Sequence, residues 1–293
     1  MYSPHTFNRC RHSHGNSMMQ LEVLTAVYGI DGIHRLAASL RPAVDGVSYL
    51  VNIQGVYPGT VLPDELVRPD MRVRFTDSIG VSRNRNELLD RATAPLVLMS
   101  DDDLDYTADG LRGVIEAFQN YPEADLLTFR HSGDDPTFVR FPARSFDLRE
   151  TPKDYFVTCF DIAIRRNEAT KELRFDDRFS IGTPFPQGEE DIFMADARRM
   201  KLRARYVPLT VSHHPGATTF PRLRATKDYI SGKGAVFART RPYTWPLRML
   251  THALRECKNP DMPAVTKYVA WWTRGAFQAI WMMLLTPRNK SRN

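Results

Sequence analysis

Apolar positions along the first half of the chain fall into short blocks whose period changes from block to block. Leu21 to Gly29 reads as a first strand closed by glycine. Over Gly32 to Leu40 the residues Ile33, Leu36, Ala37 and Leu40 share one helical face, with Asp31 as the expected N-cap. Val47 to Ile53 and Met71 to Phe75 read as the second and third strands, separated by the Pro/Gly-containing loop Gly55 to Pro69. A helix over Val81 to Ala92 turns Leu88 and Leu89 inward and leaves Arg83, Asn84, Arg85 and Asn86 around its first turn. Cations and amides beside free backbone N–H groups make that turn suited to an anion; a solvated basic face is the plainer alternative. Leu96, Val97, Leu98 and Met99 are apolar without alternation, as in a central strand covered on both faces. A helix over Leu111 to Tyr121 and a strand over Asp125 to Arg130 follow. This alternation predicts a layered α/β fold with a mostly parallel sheet flanked by helices.

The second half is less regular. Ser132 to Lys153 is loop-rich and holds Phe138, Phe141 and Phe146, and Tyr155 to Arg165 has the β-branched and aromatic content of a strand. A helix opening at Glu189 and Glu190 is expected to bury Phe193, Ala197 and Met200 and to expose Arg198, Arg199 and Lys201. Ala204 to Val211 reads as a last strand delivering Ser212, His213 and His214. From Pro221 onward Arg222, Arg224, Lys227, Lys233, Arg239 and Arg241 gather around Gly232 and Gly234, as a lid over a diphosphate or as a solvated loop. Val265 to Leu285 is rich in tryptophan and aliphatics but contains Lys267 and Arg274, and Arg288, Lys290 and Arg292 follow it. That is a poor membrane span and a better interfacial helix, with a helix packed on its own domain as the alternative. Residues 1–20 are polar, carry His5, His12 and His14, and lack the apolar core of a secretion signal. The organisation read from this is a disordered leader over 1–20, an α/β domain over 21–220, and a basic loop with amphipathic helices over 221–293.

Composition narrows the partners. At 293 residues, with 42% hydrophobic and 25% charged residues, the chain has length for a real core in one large or two small domains. A net charge of +6 points to acidic partners such as phosphates, nucleic acid or an anionic membrane face. Cys10, Cys159 and Cys257 are odd in number and far apart, which implies neither a disulfide framework nor a zinc site and fits a reducing compartment.

Chemistry concentrates after the unbroken apolar strand, where Asp101, Asp102, Asp103 and Asp105 occur within five positions. Clustered carboxylates at a buried strand end need a compensating cation. In an extended segment Asp101 and Asp103 point to the same side, so both can ligate one ion. One or two carboxylates with a substrate phosphate suit Mg²⁺ or Mn²⁺. The carboxyl end of such a strand is also where α/β sheets bind ligands. An acidic turn that merely ends the strand is the structural alternative.

Taken together, Val81-Ser82-Arg83-Asn84-Arg85, the apolar strand with Asp101-Asp102-Asp103, Phe175-Asp176-Asp177-Arg178-Phe179 and Gly188-Glu189-Glu190-Asp191 resemble the family 2 glycosyltransferases of GT-A fold. The resemblance spans roughly Leu21 to Pro215. It implies an inverting displacement from a nucleotide-diphosphate sugar to a saccharide or lipid-linked acceptor, in surface polysaccharide synthesis, with no nucleic acid involved. It assigns Asp191, with Glu190 beside it, as the catalytic pair, Asp191 being the general base. Tyr28, Arg85, Asn86, Asp101 and Asp102 fall on the nucleotide-sugar side. Asp103, Asp101 and His213 are the expected ligands of Mn²⁺ or Mg²⁺. Such enzymes often act at the inner face of the plasma membrane, which suits a cytoplasmic protein with peripheral contact through 265–293. One departure stands out: Asn52 and Gln54 lie where the family commonly has an Asp after the second strand, leaving the nucleotide open. Two rivals remain at this stage. Asp103-Leu104-Asp105-Tyr106-Thr107 has the DxDxT pattern of haloacid-dehalogenase-like phosphatases, and a non-catalytic, membrane-peripheral nucleotide-sugar binder would share most of the motifs.

Overall fold

Strand parity in the first half explains why the sheet is covered on both faces. The computed structural model describes residues 19–134, 141–152, 155–215 and 224–285. His5, His12, His14, Cys10, Phe138, Lys153, Pro221, Arg222 and the cations after Leu285 lie outside the described residues. The strands are β1 (Leu21–Tyr28), β2 (Val47–Gln54), β3 (Met71–Thr76), β4 (Leu96–Ser100), β5 (Asp105–Tyr106), β6 (Leu126–Gly133), β7 (Phe146–Asp147), β8 (Ile162–Arg165) and β9 (Ala204–His214). They form one mixed sheet in the order β3-β2-β1-β4-β8-β6-β9-β5, with β7 added on β9. The helices are α1 (Gly29–Ala38), α2 (Val81–Arg91), α3 (Ala108–Asn120), α4 (Glu189–Arg199), α5 (Lys227–Thr240), α6 (Trp245–Glu256) and α7 (Val265–Leu285). Leu96 and Leu98 of β4 join one core with Leu36 of α1 and Phe118 of α3. Val97 and Met99 point the other way, into a core with Leu88 of α2 and Phe193 of α4. Period-two alternation with both faces apolar therefore gives an α/β fold with helices on each side. Parallel pairing holds through β3-β2-β1-β4. It then mixes, because β8 runs antiparallel to both β4 and β6.

Three elements before Pro215 differ from the sequence reading. Helix α1 begins at Gly29 with Tyr28 as its N-cap, and Asp31 sits inside the first turn. Of the strand expected over Tyr155 to Arg165, only β8 forms, preceded by a 3₁₀ turn at Cys159–Asp161. Tyr155 is drawn out of the ladder: its ring packs against Phe146 and Tyr206, and its hydroxyl bonds that of Thr128. Met200 lies past the end of α4 and is 37% exposed, while Ile192 and Asp196 join Phe193 and Ala197 as the inward face.

The basic stretch expected as a lid or loop is instead helix α5. Its glycines serve packing: a Cβ on Gly234 would overlap the carbonyl of Trp272, and one on Gly275 that of Ser231. The α5 and α7 backbones thus meet where both are bare. Tyr268, Trp272 and Ala276 of α7 are buried there in a third core with Ile230 and Trp245. The opposite side of α7 exposes Phe277, Trp281, Leu284 and Leu285. Among the described residues no helix is long and apolar enough to cross a membrane.

Candidate active site

The turn after β4 is built on arginines. Asp101 accepts from Arg85 Nη2 at 2.7 Å, and the same guanidinium reaches Glu189 Oε1 at 3.1 Å through Nη1. Arg85 is 4% exposed, so it is a buried link between the acidic turn and the start of α4. Burial alone would weaken its protonation, but Cys159, Asp101 and Glu189 outweigh this and drive its pKa up. Arg41, also buried, donates to the Asp101 carbonyl at 2.8 Å and to Ser100 Oγ at 3.3 Å. Asp102 turns to the other face and takes a bidentate pair from Arg35 at 3.0 and 2.9 Å. The compensating cations that the acidic cluster needs are therefore supplied by Arg35, Arg41 and Arg85, and a metal is not required to explain it.

This redistributes the expected site residues. Asp102, expected on the nucleotide side, is buried in its pair with Arg35, because the residue after Asp101 faces α1. Arg85 is enclosed and holds carboxylates, rather than reaching outward to a nucleotide. Asn86 exchanges hydrogen bonds with the backbone of Phe175 at 2.9 and 2.8 Å, pinning the lead-in to α4 rather than a ligand. Asn52 Nδ2 donates to Glu87 at 3.1 Å, and Gln54 Nε2 donates to Ser78 Oγ at 2.9 Å. The amides at the end of β2 therefore anchor the approach to α2. Tyr28, at the carboxyl end of β1, is 66% exposed and available as a ring platform.

Among the described residues, Asp103 alone of the three aspartates meets a histidine, and it is His214: Nε2 lies 3.5 Å from Oδ2. His213 faces the opposite way, toward Ser132 Oγ at 3.0 Å and Asp134 at 3.3 Å, so the preference for His213 is replaced by His214. Register shifts between Thr128, Arg130 and His131 along β6/β9 reset which parity of β9 faces the site. Behind His214, Phe160 stacks at 6.0 Å and also edges His131 at 4.8 Å. His131 in turn pairs with buried Asp161 at 2.9 Å. That aromatic and hydrogen-bonded backing had no local sequence signal. Among the described residues no group of three His, Cys, Asp or Glu side chains forms a metal cage. Asp103 with His214 is a two-residue donor set, and it fits a divalent ion whose remaining ligands come from phosphate and water. Asp101 has its carboxylate engaged by Arg85.

Gly188 sets the geometry of α4. It adopts φ +81°, and Val236 of α5 packs where a Cβ would stand. The helix then opens with Glu189, Glu190 and Asp191, charges its N-terminal dipole favours. Glu189 is spent on Arg85. Glu190 and Asp191 line a cleft of about 520 Å³ together with Tyr155, Phe156, Phe237 and Arg241. Burial, then Glu189 and Asp191, push the Glu190 carboxyl well up. Asp191 is exposed at its surface, yet the desolvation from its surroundings raises its pKa too; Glu189 adds to this and Lys233 opposes it. Raised carboxyls in a cleft suit proton transfer. The DxDxT reading finds no support here, since Asp105 accepts from the Leu40 N–H at 2.6 Å and Thr107 caps α3.

Residues 64–174 match the model of glycosyl transferase family 2. Among solved structures, that of S. aureus TarS 1-349 in complex with UDP-GlcNAc matches with a TM-score of 0.56 and 17% identity, over 92% of this chain and 77% of that one. The complex of TarS 1-349 with UDP gives 0.53 and 13% over 92% and 93%. Against a longer TarS chain the match spans 46% of that chain. These likenesses show the GT-A-like fold. Curated proteins give no match to the sequence. The family 2 match is therefore to the segment 64–174, which runs from the loop after β2 to the approach to α4. The family match ends before α4, so the roles of Glu190 and Asp191 rest on their own geometry.

Proposed function

We propose that this glycosyltransferase moves a sugar, with inversion, from a nucleotide-diphosphate donor to a saccharide or lipid-linked acceptor, in surface polysaccharide synthesis. The observation that carries this is the buried Arg85 link, which joins Asp101 of the acidic turn to Glu189 at the start of α4. It fixes the donor side and the cleft containing Asp191 in one rigid relation. Asp191 takes the proton of the acceptor hydroxyl as that oxygen attacks the anomeric carbon, and the bond to the diphosphate breaks on the opposite face. Glu190, held more protonated, keeps the negative charge of the pair on Asp191. Tyr28 offers its ring to the nucleotide base. Asp103 and His214 would hold Mn²⁺ or Mg²⁺ against the diphosphate, where a divalent ion supplies charge neutralisation to the departing group.

The exposed apolar side of α7, continued by Leu247, Leu250 and Leu254 on α6, suits peripheral contact with a cytoplasmic membrane face. Thermal shifts with nucleoside diphosphates, with and without Mn²⁺, followed by the anomeric configuration of the product, test the proposal. Retention of configuration would overturn the single displacement. Binding without transfer to any acceptor would favour a nucleotide-sugar-binding protein.

A further inference from the structure

The cleft beyond Asp191 is lined at its far end by arginines that the transfer chemistry does not use. Arg198 and Arg199 come from the last turn of α4, Arg241 from the end of α5, and Arg248 from the first turn of α6. Most basic side chains nearby are already neutralised. Arg239 holds Asp176 at 3.0 Å and Asp196 at 2.8 Å, and Arg199 holds Asp196 at 2.7 Å. Among the described residues Arg198 donates only to the Leu148 carbonyl at 3.4 Å, and Arg248 only to Thr244 Oγ1 at 3.2 Å. Among the described residues neither these two nor Arg241 has a carboxylate partner. Arg248 also sits where the dipole of α6 disfavours a cation, and that turn contains no acidic residue. Burial, and then the proximity of Arg248, Arg198 and Arg199, lower the pKa of Arg241. Cations gathered at a cost to one another in a concave site are relieved by an anion.

We propose that this cleft binds a phosphate-bearing acceptor, with Arg198, Arg241 and Arg248 taking the anionic group while Asp191 faces the hydroxyl to be glycosylated. The inference rests on the transferase reading above and adds the acceptor's chemical class. Helix periodicity sets the spacing. Asp191, Met194, Ala195 and Arg198 all line the cleft, one face of α4 over seven residues. At 1.5 Å per residue the Arg198 backbone lies about 10 Å along the helix from that of Asp191. An acceptor whose reactive hydroxyl is about one sugar ring from a phosphate fits that distance. Tyr155, Phe156 and Phe237 give the cleft apolar walls for the intervening carbons. Guanidinium pairs carry the recognition because their planar forks match phosphate oxygens.

The test uses the full chain and four probes: glycerol 3-phosphate, farnesyl phosphate, and the neutral alcohols glycerol and farnesol. Each phosphate is expected to bind on the order of tenfold or more tighter than its alcohol, a gain typical of charged hydrogen bonds. The double variant R241Q/R248Q should lose that preference while keeping the wild-type melting temperature. Preference for farnesyl phosphate assigns the anion to a lipid carrier, and equal binding assigns it to a soluble phosphorylated polymer. Phosphates that bind no better than alcohols, or as well to the variant, overturn the inference. So does displacement of the phosphates by nucleoside diphosphate, which would put them in the donor site. Nucleoside-diphosphate binding by the wild-type chain is measured in parallel. Its absence would sink the transferase reading itself, whereas its presence without phosphate preference would sink only the acceptor assignment.

Discussion

At the residue scale the site is a division of labour among neighbouring carboxylates. Asp102 is consumed by Arg35, Asp101 by Arg85 and Glu189 by the same arginine, which leaves Asp103 beside His214 and Asp191 on the cleft. Asp103→Asn is therefore expected to abolish transfer while the fold stays intact, since it removes the anionic oxygen beside His214 and keeps volume. Full activity of that variant, or of the wild type in excess EDTA, would remove the metal from the account. The pH dependence follows from the raised carboxyl of Asp191. A base must be unprotonated, so activity falls as pH drops through its pKa, and this acid limb should lie above that of an ordinary Asp. Lys233 holds that pKa down, so Lys233→Met should move the limb to higher pH; a limb that stays put would separate Lys233 from the base. The acidic cluster and the Gly-Glu-Glu-Asp motif were legible because they are contiguous in sequence. The partners of Asp102 and the choice of His214 over His213 were not. Arg35 is distant in sequence, and the irregular β6/β9 register decides which histidine faces inward.

At the element scale the alternation of apolar blocks was enough to place β1 to β4 and the helices between them, because each is periodic and bounded by turns. Tyr155 to Thr158 escaped that logic: β-type composition there serves an aromatic cluster rather than a ladder. Lys227 to Thr240 escaped it as well, since glycines read as loop signals but here permit contact between α5 and α7. Gly234→Val should consequently push the two helices apart and destabilise the protein by about 1–3 kcal/mol, the usual range for overpacking. Denaturant unfolding measures it, and an unchanged midpoint would mean the contact is not tight. Arg85→Met tests the other structural joint. Two carboxylates would lose their buried cation, at a cost of about 3–5 kcal/mol. Arg85→Lys should recover charge but not the forked geometry, giving a folded protein with depressed turnover.

At the scale of the whole molecule the buried side of α7 is part of a core, so removing the helix would unfold its surroundings rather than report on membranes. Substitution of its exposed side is the sharper probe: Trp281→Ser with Leu284→Gln should leave melting unchanged and lower binding to vesicles containing anionic lipid. Equal binding by both forms would make that side an ordinary surface. The central claim is that this protein is a glycosyltransferase working through Asp191 on a nucleotide-activated sugar. Its most direct test is to measure donor affinity and turnover together for the wild type and Asp191→Asn, across a panel of nucleoside-diphosphate sugars. The account predicts one preferred donor, affinity unchanged by the substitution, and turnover reduced by about 10² to 10⁴, the worth of a positioned general base. Unchanged turnover, or affinity that collapses while bound donor still reacts, would contradict it.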